Sequence, residues 1–286
     1  MRMGPAREGA SNATALKAVL APEQLDSYNR DGYHIARGMF DAAEIAALRR
    51  RFDDIADAGE PIKGHWEPSP DAQSADPLKR YPRVMHPHRF DALSKRILLD
   101  RRIYGVLRDL LGEEPIATQT MFYFKPPGAR GQAFHQDNFY LQVKPGTCIA
   151  AWIAVDPAIP ENGGLMVAPG THRMEVQCPE QAEESQSFVN HLVPPPPDIT
   201  PVPAELQPGD VLFFNGSLIH GSQPNTHEKL WRRSFICHYM PRSSKQIAEW
   251  YFPLHDFDGK VVEYPKAEGG GPCGDEYDGS KSDKWH

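Results

Sequence analysis

Cysteine is scarce in this sequence, and its few cysteines are widely spaced. Cys148, Cys178, Cys237 and Cys273 are the four thiols in 286 residues, and no CxxC pair occurs. Small disulfide-stapled domains carry a higher density of cysteine, and structural zinc sites use closely spaced pairs. The sequence therefore excludes both classes, and we expect reduced thiols in a cytoplasmic protein.

Long apolar runs and basic runs are also missing. No segment approaches the ~18 apolar residues that span a bilayer, and the start "MRMGPAREGASNATALKAVLAP" has no apolar signal core. The net charge is −7, and no basic run is interleaved with aromatic residues. Nucleic-acid binding depends on neutralising phosphates, so this composition argues against it. We expect neither a membrane nor a nucleic-acid partner, and a small-molecule substrate.

Helical patterns are present in the first part of the chain. Asp41 is followed by Glu44, as in a capping box, and then by apolar residues at helical spacing. Residues 91–111 repeat this pattern and end before a glycine. We predict one helix from each pattern, within a helical support region of residues 22–114 that follows an N-terminal extension of residues 1–21.

Short β-rich runs cut by glycine and proline follow from residue 115 onward, among them "IATQTMFYFK", "TCIAAWIAV", "DVLFFNG" and "RRSFICHYM". Many short strands after a helical start predict a mostly β fold with flanking α-helices, either an antiparallel barrel or a jelly roll. We expect a single domain over residues 1–286 with its β core at 115–242. Residues 174–209 are expected to be a lid or substrate loop, or else a plain surface excursion, and 266–286 a mobile tail.

Two residues of the run "AFHQDNFYLQV" are candidate metal ligands. In a strand, His135 and Asp137 would point to one face and Gln136 to the other. His220 follows the apolar run "DVLFFNG" and is the best third candidate. Two histidines and one carboxylate form the facial set that suits Fe(II), with positions left for a cosubstrate and O2. Each motif alone also occurs by chance, so the interpretation depends on the set.

Two arginines open the apolar run "RRSFICHYM". A buried guanidinium without a partner is costly, so an arginine in this place needs an anion. A dicarboxylate cosubstrate would supply one and would match the bidentate geometry of the guanidinium. Neighbouring strand residues face opposite ways, so one of Arg232 and Arg233 is expected to pair with acidic side chains at the surface instead.

Five segments, in chain order, form a specific set: "DGYHIARGMFDAAEIAALR" (31–49), "HQD" (135–137), "ENGGLMVAPGTHR" (161–173), "HGS" (220–222) and "RRSFICHY" (232–239). Together they resemble the phytanoyl-CoA dioxygenase family, over about residues 22–242. The resemblance implies a double-stranded β-helix, which is a jelly roll of the cupin type. It also implies an enzyme that uses Fe(II), 2-oxoglutarate and O2.

The same resemblance implies roles for individual residues. The implied iron ligands are His135, Asp137 and His220. The implied 2-oxoglutarate contacts are Arg232, which would hold the distal carboxylate, and Ser222, Gln119 and Trp152. The spacing from His220 to Arg232 is one residue longer than is typical of the family, which leaves Arg233 as an alternative anchor.

The predicted function is therefore that of a non-haem Fe(II)- and 2-oxoglutarate-dependent dioxygenase. It would hydroxylate a C–H bond of a small molecule and release succinate and CO2, although desaturation, epimerisation and ring formation use the same ligands. Related halogenating enzymes have a small residue in place of Asp137, so its presence argues against halogenation. The alternatives are a catalytically inactive jelly-roll binding module and a zinc-dependent hydrolase on the same ligands, which would not need the arginine.

Overall fold

The computed structural model describes residues 18–69 and 74–268, so most of the predicted N-terminal extension and tail lies outside the described residues. Helices lie mainly before residue 112. Their bounds are Pro22–Asp31 (α1), Ala42–Ala58 (α2), Pro77–Arg80 (α3), Ala92–Leu98 (α4), Arg101–Leu111 (α5) and Asn138–Leu141 (α6). Single 3-10 turns span Pro87–Arg89, Pro160–Asn162, Thr171–Arg173 and Glu249–Tyr251.

The capping box predicted before α2 is confirmed. The Asp41 carboxylate accepts a hydrogen bond from the Glu44 backbone N–H, and the Glu44 carboxylate accepts one from the Asp41 N–H. The prediction of one helix over residues 91–111 is wrong, because the helix is interrupted between α4 and α5. Asp100 lies at the break, and its carboxylate caps the first turn of α5 by accepting from the Arg102 N–H. The apolar spacing continues through the break and hides it.

The strands are Tyr33–Ala36 (β1), Val84–Met85 (β2), Pro115–Tyr123 (β3), Gln132–His135 (β4), Ile149–Ala154 (β5), Leu165–Val167 (β6), Glu180–Gln181 (β7), His191–Leu192 (β8), Val202–Ala204 (β9), Val211–Asn215 (β10), His220–Ser222 (β11), Ser234–Pro241 (β12), Leu254–His255 (β13) and Val261–Val262 (β14). All the pairings between them are antiparallel. The larger sheet runs β1-β10-β5-β12-β3-β13-β14, with β2 beside β3, and the smaller runs β4-β11-β6-β9. The predicted double-stranded β-helix is confirmed.

Strand β3 shows how the layers pack. Its successive side chains point to opposite faces of the sheet. Met121 joins an apolar cluster that includes Leu165 and Val167 of the smaller sheet. Phe122 faces the helices, and its ring stacks on that of Phe52 in α2 with 3.9 Å between ring centroids. The helices therefore cover the outer face of the larger sheet and leave the space between the sheets free for a site.

Residues 174–209 contain some regular structure. Strands β7 and β8 form a two-stranded ribbon, and β9 adds to the edge of the smaller sheet. Pro203 lies within β9, and an edge strand tolerates proline because one side of it lacks ladder partners. The proline-rich stretch is thus kept out of the sheet centres, as its composition requires. A role as lid or substrate loop, like the division of the chain into segments, stays a prediction.

The cysteines differ in state. Cys148 and Cys237 are free and fully buried, as expected of reduced thiols. Cys178 is disulfide-bonded, so the expectation of reduced thiols is wrong for this residue. Among the described residues, no helix combines the length and the apolar character needed to cross a membrane.

Candidate metal centre

Strands β4 and β11 bring two histidines together. His135 and His220 are direct partners in the antiparallel register, so both side chains leave the same face of the sheet. Their ring centroids are 4.3 Å apart. Gly221 permits the close approach of the strands, because a Cβ atom at this position would lie 2.9 Å from the Gln132 carbonyl oxygen. The pairing of these strands thus places two of the three predicted ligands side by side.

Asp137 joins them from the start of a short helix. The expectation that His135 and Asp137 share one strand is wrong, since β4 ends at His135 and Asp137 is the N-cap of α6. Gln136 does turn away, and its side chain donates to the Ser217 carbonyl and accepts from the Gln177 N–H. These two hydrogen bonds hold the turn, so Asp137 reaches the histidines although the strand has ended.

The three side chains converge on one point. The Oδ1 atom of Asp137 lies 3.4 Å from Nε2 of His135 and 3.7 Å from Nε2 of His220. All three residues are buried, and their potential ligand atoms lie within 4.8 Å of one another. Within residues 18–69 and 74–268 this is the group of histidine, cysteine and acidic side chains with the geometry to hold a metal ion.

Hydrogen bonds on the far side of each ring fix the orientation of the histidines. Nδ1 of His135 donates to the Ala133 carbonyl at 2.8 Å, and Nδ1 of His220 donates to the Leu218 carbonyl at 3.0 Å. A carbonyl only accepts, so the proton is on Nδ1 and the lone pair is on Nε2. The Gln132 amide, 3.0 Å from Nε2 of His135, agrees with this because it can donate to that lone pair. Both Nε2 atoms are therefore ready to ligate a metal.

The electrostatics of the centre suit the same role. Burial, with a smaller contribution from neighbouring His135, lowers the pKa of His220 to about 4, so its ring is neutral at pH 7. Burial alone would raise the pKa of the Asp137 carboxyl, but the nearby His220 and His238, together with the hydrogen bond from His238, hold it well below its usual range. The centre thus presents a neutral imidazole at His220 and a carboxylate at Asp137, beside the imidazole of His135.

His238 on β12 fixes the second oxygen of the carboxylate. Its Nε2 lies 2.9 Å from Oδ2 of Asp137, and the side chain is buried. Since Oδ2 accepts this hydrogen bond, Oδ1 is left facing the two ligand histidines. This role of His238 was not predicted from the sequence. The signal in the sequence was the spacing between the two residues. His238 lies six positions after Arg232, and an even spacing along a strand places both side chains on the same face.

The two arginines of "RRSFICHYM" have different surroundings. Arg233 makes ion pairs of 2.7 Å with both Asp53 and Asp156. Arg232 is 4% exposed and makes hydrogen bonds to the Gly163 carbonyl and the Ser234 hydroxyl. Among the described residues it has no ion pair with an acidic side chain. Arg233 is thus paired with two carboxylates, one of them on helix α2, and Arg232 brings a buried positive charge to the cavity.

Lys125 adds a second buried cation, which was not predicted from the sequence. Its Nζ donates to the Gly163 carbonyl, to the Ser222 hydroxyl and to the Gln223 carbonyl. The side chain is 2% exposed, and burial together with the nearby Arg232 lowers the pKa of its ammonium group well below the usual range. Arg232 and Lys125 thus share the Gly163 carbonyl as an acceptor, and neither has an acidic partner in the described part of the chain.

The remaining predicted contacts line the same cavity as the three candidate ligands. Its wall includes Gln119, Trp152, Ser222 and Arg232. The ring of Trp152 lies beneath the Arg232 guanidinium, with 5.4 Å from ring centre to the guanidinium carbon. The side-chain nitrogen of Gln119 is buried and has no hydrogen-bond partner in the described residues. This cavity therefore brings the seven predicted site residues together, and it offers an unused donor to a ligand.

Comparison with known proteins fits this arrangement. The family model described as phytanoyl-CoA dioxygenase (PhyH) matches residues 28–234, well over half of the chain. The chain belongs to the phytanoyl-CoA dioxygenase family. The predicted enzyme class, an Fe(II)- and 2-oxoglutarate-dependent dioxygenase that uses O2, is confirmed with it.

Relatives and solved structures extend the comparison. The chain is 27% identical to phytanoyl-CoA dioxygenase 1 of Oryza sativa subsp. japonica, covering 72% of this chain and 84% of that protein. It is 28% identical to ectoine dioxygenase of Stutzerimonas stutzeri strain A1501, covering 73% of each. The structure of EctD from S. alaskensis with 2-oxoglutarate and 5-hydroxyectoine matches with a TM-score of 0.66 and 21% identity, over 91% and 90% of the two chains. That of the epimerase SnoN with Fe3+, alpha ketoglutarate and nogalamycin RO has a TM-score of 0.61 and 21% identity, over 78% and 84%.

Proposed function

We propose that this protein binds Fe(II) through His135, Asp137 and His220, binds the distal carboxylate of 2-oxoglutarate through Arg232, and hydroxylates a C–H bond of a small-molecule substrate. The balanced reaction consumes the substrate R–H, O2 and 2-oxoglutarate and yields R–OH, succinate and CO2. The observation that carries the proposal is the shared cavity. One wall presents a two-histidine, one-carboxylate set, and another presents a buried arginine that has no acidic partner among the residues that the structure describes.

The donor set fits the metal that the family uses. Two neutral imidazoles and one carboxylate are the facial set of non-haem Fe(II) enzymes, and they leave three coordination positions for other ligands. Each donor is also held from behind, by the Ala133 and Leu218 carbonyls for the histidines and by His238 for Asp137. Such outer partners orient metal ligands and affect affinity strongly.

The cationic end of the cavity fits the cosubstrate. A guanidinium and a carboxylate form two parallel charge-assisted hydrogen bonds, and Arg232 has N–H groups left for them. Lys125 reinforces the positive charge at this end and positions the Ser222 hydroxyl. The unused Gln119 amide supplies a further donor. A dianion such as 2-oxoglutarate would offset the burial of both cations, which is why we favour Arg232 over Arg233 as the anchor.

The chain's own residues supply binding, orientation and shielding. Bound Fe(II) supplies the chemistry that couples oxidative decarboxylation of 2-oxoglutarate to oxidation of a C–H bond. His238 keeps Oδ1 of Asp137 directed at the metal position, while the Nδ1 hydrogen bonds keep the imidazole lone pairs there. Apolar and aromatic side chains of the cavity, among them Met121, Leu141 and Phe214, limit the entry of water.

The test is an anaerobic titration of the metal-free protein with Fe(II) and then 2-oxoglutarate, followed by the visible charge-transfer band of the chelate. We expect the band in the wild type and in the control His34→Ala, whose ring lies on β1 outside the cavity, and no band in His135→Ala, Asp137→Ala or His220→Ala. Full band intensity in any of these three would refute the ligand assignment. Activity with zinc and without O2 would instead favour the hydrolase.

A further inference from the structure

A second cavity of about 300 Å³ adjoins the metal centre. It shares Arg83, Tyr123 and Arg232 with the cavity that contains the candidate ligands. Phe188, from the predicted loop at 174–209, also lines it. The shared residues make it an approach to the metal centre, on the side where a substrate has room to bind.

The charge of this cavity differs in sign from that of the whole chain, which has a net charge of −7. The basic residues that line it are Lys79, Arg83, Lys125, Arg130 and Arg232. Asp76 is the acidic residue in the lining, and its carboxylate is paired with Arg130 at 2.7 Å. The cavity therefore carries an excess of positive charge, which favours an anion over a cation regardless of the overall charge.

Arg83 is the cation in the best position to bind such an anion. Its Nη1 donates to the Tyr123 hydroxyl at 3.0 Å, and its guanidinium lies over the Tyr123 and Phe188 rings, 5.4 and 4.9 Å from their centres. In the part of the chain that the structure describes, it forms no ion pair. The two rings hold the guanidinium in place, and most of its five N–H donors are left over.

We propose that Arg83 binds an anionic oxygen group of the substrate, a carboxylate or a phosphate, so that the substrate is a small organic anion with an apolar body. The body would extend from Arg83 toward the candidate ligands along Met121, Leu141 and Val189, which line the cavity of the metal centre. The direction of the body rests on the proposed function. Anion binding at Arg83 itself does not.

The test uses four probes with one alkyl chain and different heads: hexanoate, hexyl phosphate, 1-hexanol and hexylamine. Their binding to the metal-free full chain is measured by calorimetry. We expect the anions to bind at least about tenfold more tightly than the alcohol, which corresponds to one charge-assisted hydrogen bond, and the amine to bind most weakly. The tighter of hexanoate and hexyl phosphate identifies the head group.

Variants assign the effect to one residue. Arg83→Gln should abolish the preference for anions, and Arg83→Lys should retain part of it. Arg80→Gln, an exposed arginine of the same segment that lines neither cavity, should keep the preference in full. Arg232→Met separates the two cavity arginines, because it should weaken 2-oxoglutarate binding and spare the hexyl anions.

Three results would overturn the inference. The first is that neither anion binds more tightly than 1-hexanol. The second is that Arg83→Gln keeps the anion preference, and the third is that this variant weakens 2-oxoglutarate binding and leaves the anions unaffected. A normal iron chelate band together with any of these would leave the proposed function standing. Anion binding at Arg83 without any chelate band would refute the function and retain the inference.

Discussion

Replacing each of the two neighbouring arginines by methionine should change stability in opposite directions. Burial lowers the pKa of Arg232 from its usual value to about 10. Both values are above neutral pH, so the group stays protonated and its burial costs about 3 kcal/mol, at about 1.4 kcal/mol for each pKa unit. Its hydrogen bonds to Gly163 and Ser234 return about 1 kcal/mol each. Arg232→Met should therefore leave the free energy of unfolding unchanged or raise it by about 1 kcal/mol.

Arg233→Met removes a guanidinium that has two acidic partners. Asp156 is buried, and without Arg233 it keeps Arg49 as its cationic neighbour, at 3.8 Å. Among the described residues, the buried Asp156 carboxylate would then keep only this longer ion pair, and losing a close partner of a buried charge is strongly destabilising. We expect the free energy of unfolding to fall by about 2 kcal/mol or more. The affinity for 2-oxoglutarate should respond the other way, with a roughly hundredfold loss in Arg232→Met, equivalent to two charge-assisted hydrogen bonds, and no change in Arg233→Met.

The assays are urea unfolding of the metal-free proteins at pH 7 and titration of the Fe(II)-loaded proteins with 2-oxoglutarate under anaerobic conditions. Unfolding gives the stability of each variant without cosubstrate, and the titration gives its affinity. A loss of several kcal/mol in Arg232→Met would show that an undetected partner neutralises this arginine. A loss of 2-oxoglutarate affinity confined to Arg233→Met would reassign the anchor.

Three further predictions concern histidines and cysteines. His238→Ala should weaken Fe(II) binding by roughly tenfold to a hundredfold, because Asp137 loses its outer partner, and His238→Gln should recover part of it, as read from the chelate band. Burial lowers the pKa of His88 from 6.5 to about 3, so the folded protein favours the neutral ring. As the pH is lowered from 6.5 to 3, the free energy of unfolding should therefore fall by up to roughly 1.4 kcal/mol for each pH unit. His88→Gln should flatten that slope in urea unfolding. Cys148 and Cys237 are buried with raised thiol pKa values, so a thiol reagent should modify them only after unfolding, and fast labelling of the native protein would contradict their burial.

The sequence was most informative where a pattern repeats at short range. Strand-like runs predicted a mostly β fold, either an antiparallel barrel or a jelly roll, and the capping box at Asp41 predicted the start of α2, because these features depend on neighbouring residues. The choice of the jelly roll came from the family resemblance. The break between α4 and α5 was not predicted, because the apolar spacing continues through it. Asp100 gave no signal either, since an aspartate is also common on the exposed face of a continuous helix. The end of β4 at His135 was missed for a similar reason, as Gln136 stabilises the turn through distant partners.

The candidate site was predictable as a set of residues and less so as a set of contacts. His135, Asp137 and His220 stood out because ligands must be particular residue types. Lys125 and His238 did not, because their importance depends on which atoms lie beside them, across more than ninety residues of sequence. A lysine before two prolines and a histidine in an apolar strand both look ordinary until the fold brings Ser222 beside Lys125 and Asp137 beside His238.

The hydrogen bonds that orient the two candidate ligand histidines have a consequence for substitutions elsewhere in the cavity. Each ring is anchored to a carbonyl two residues earlier in the chain, at Ala133 within β4 for His135 and at Leu218 in the turn before β11 for His220. The orientation of each ring is therefore set by the chain next to it and does not depend on the side chains that line the rest of the cavity. Substitutions of lining residues such as Val189 or Tyr140 should therefore leave the orientation of the two rings unchanged. The lining of the cavity can then be altered to change which substrate fits, without disturbing the imidazoles.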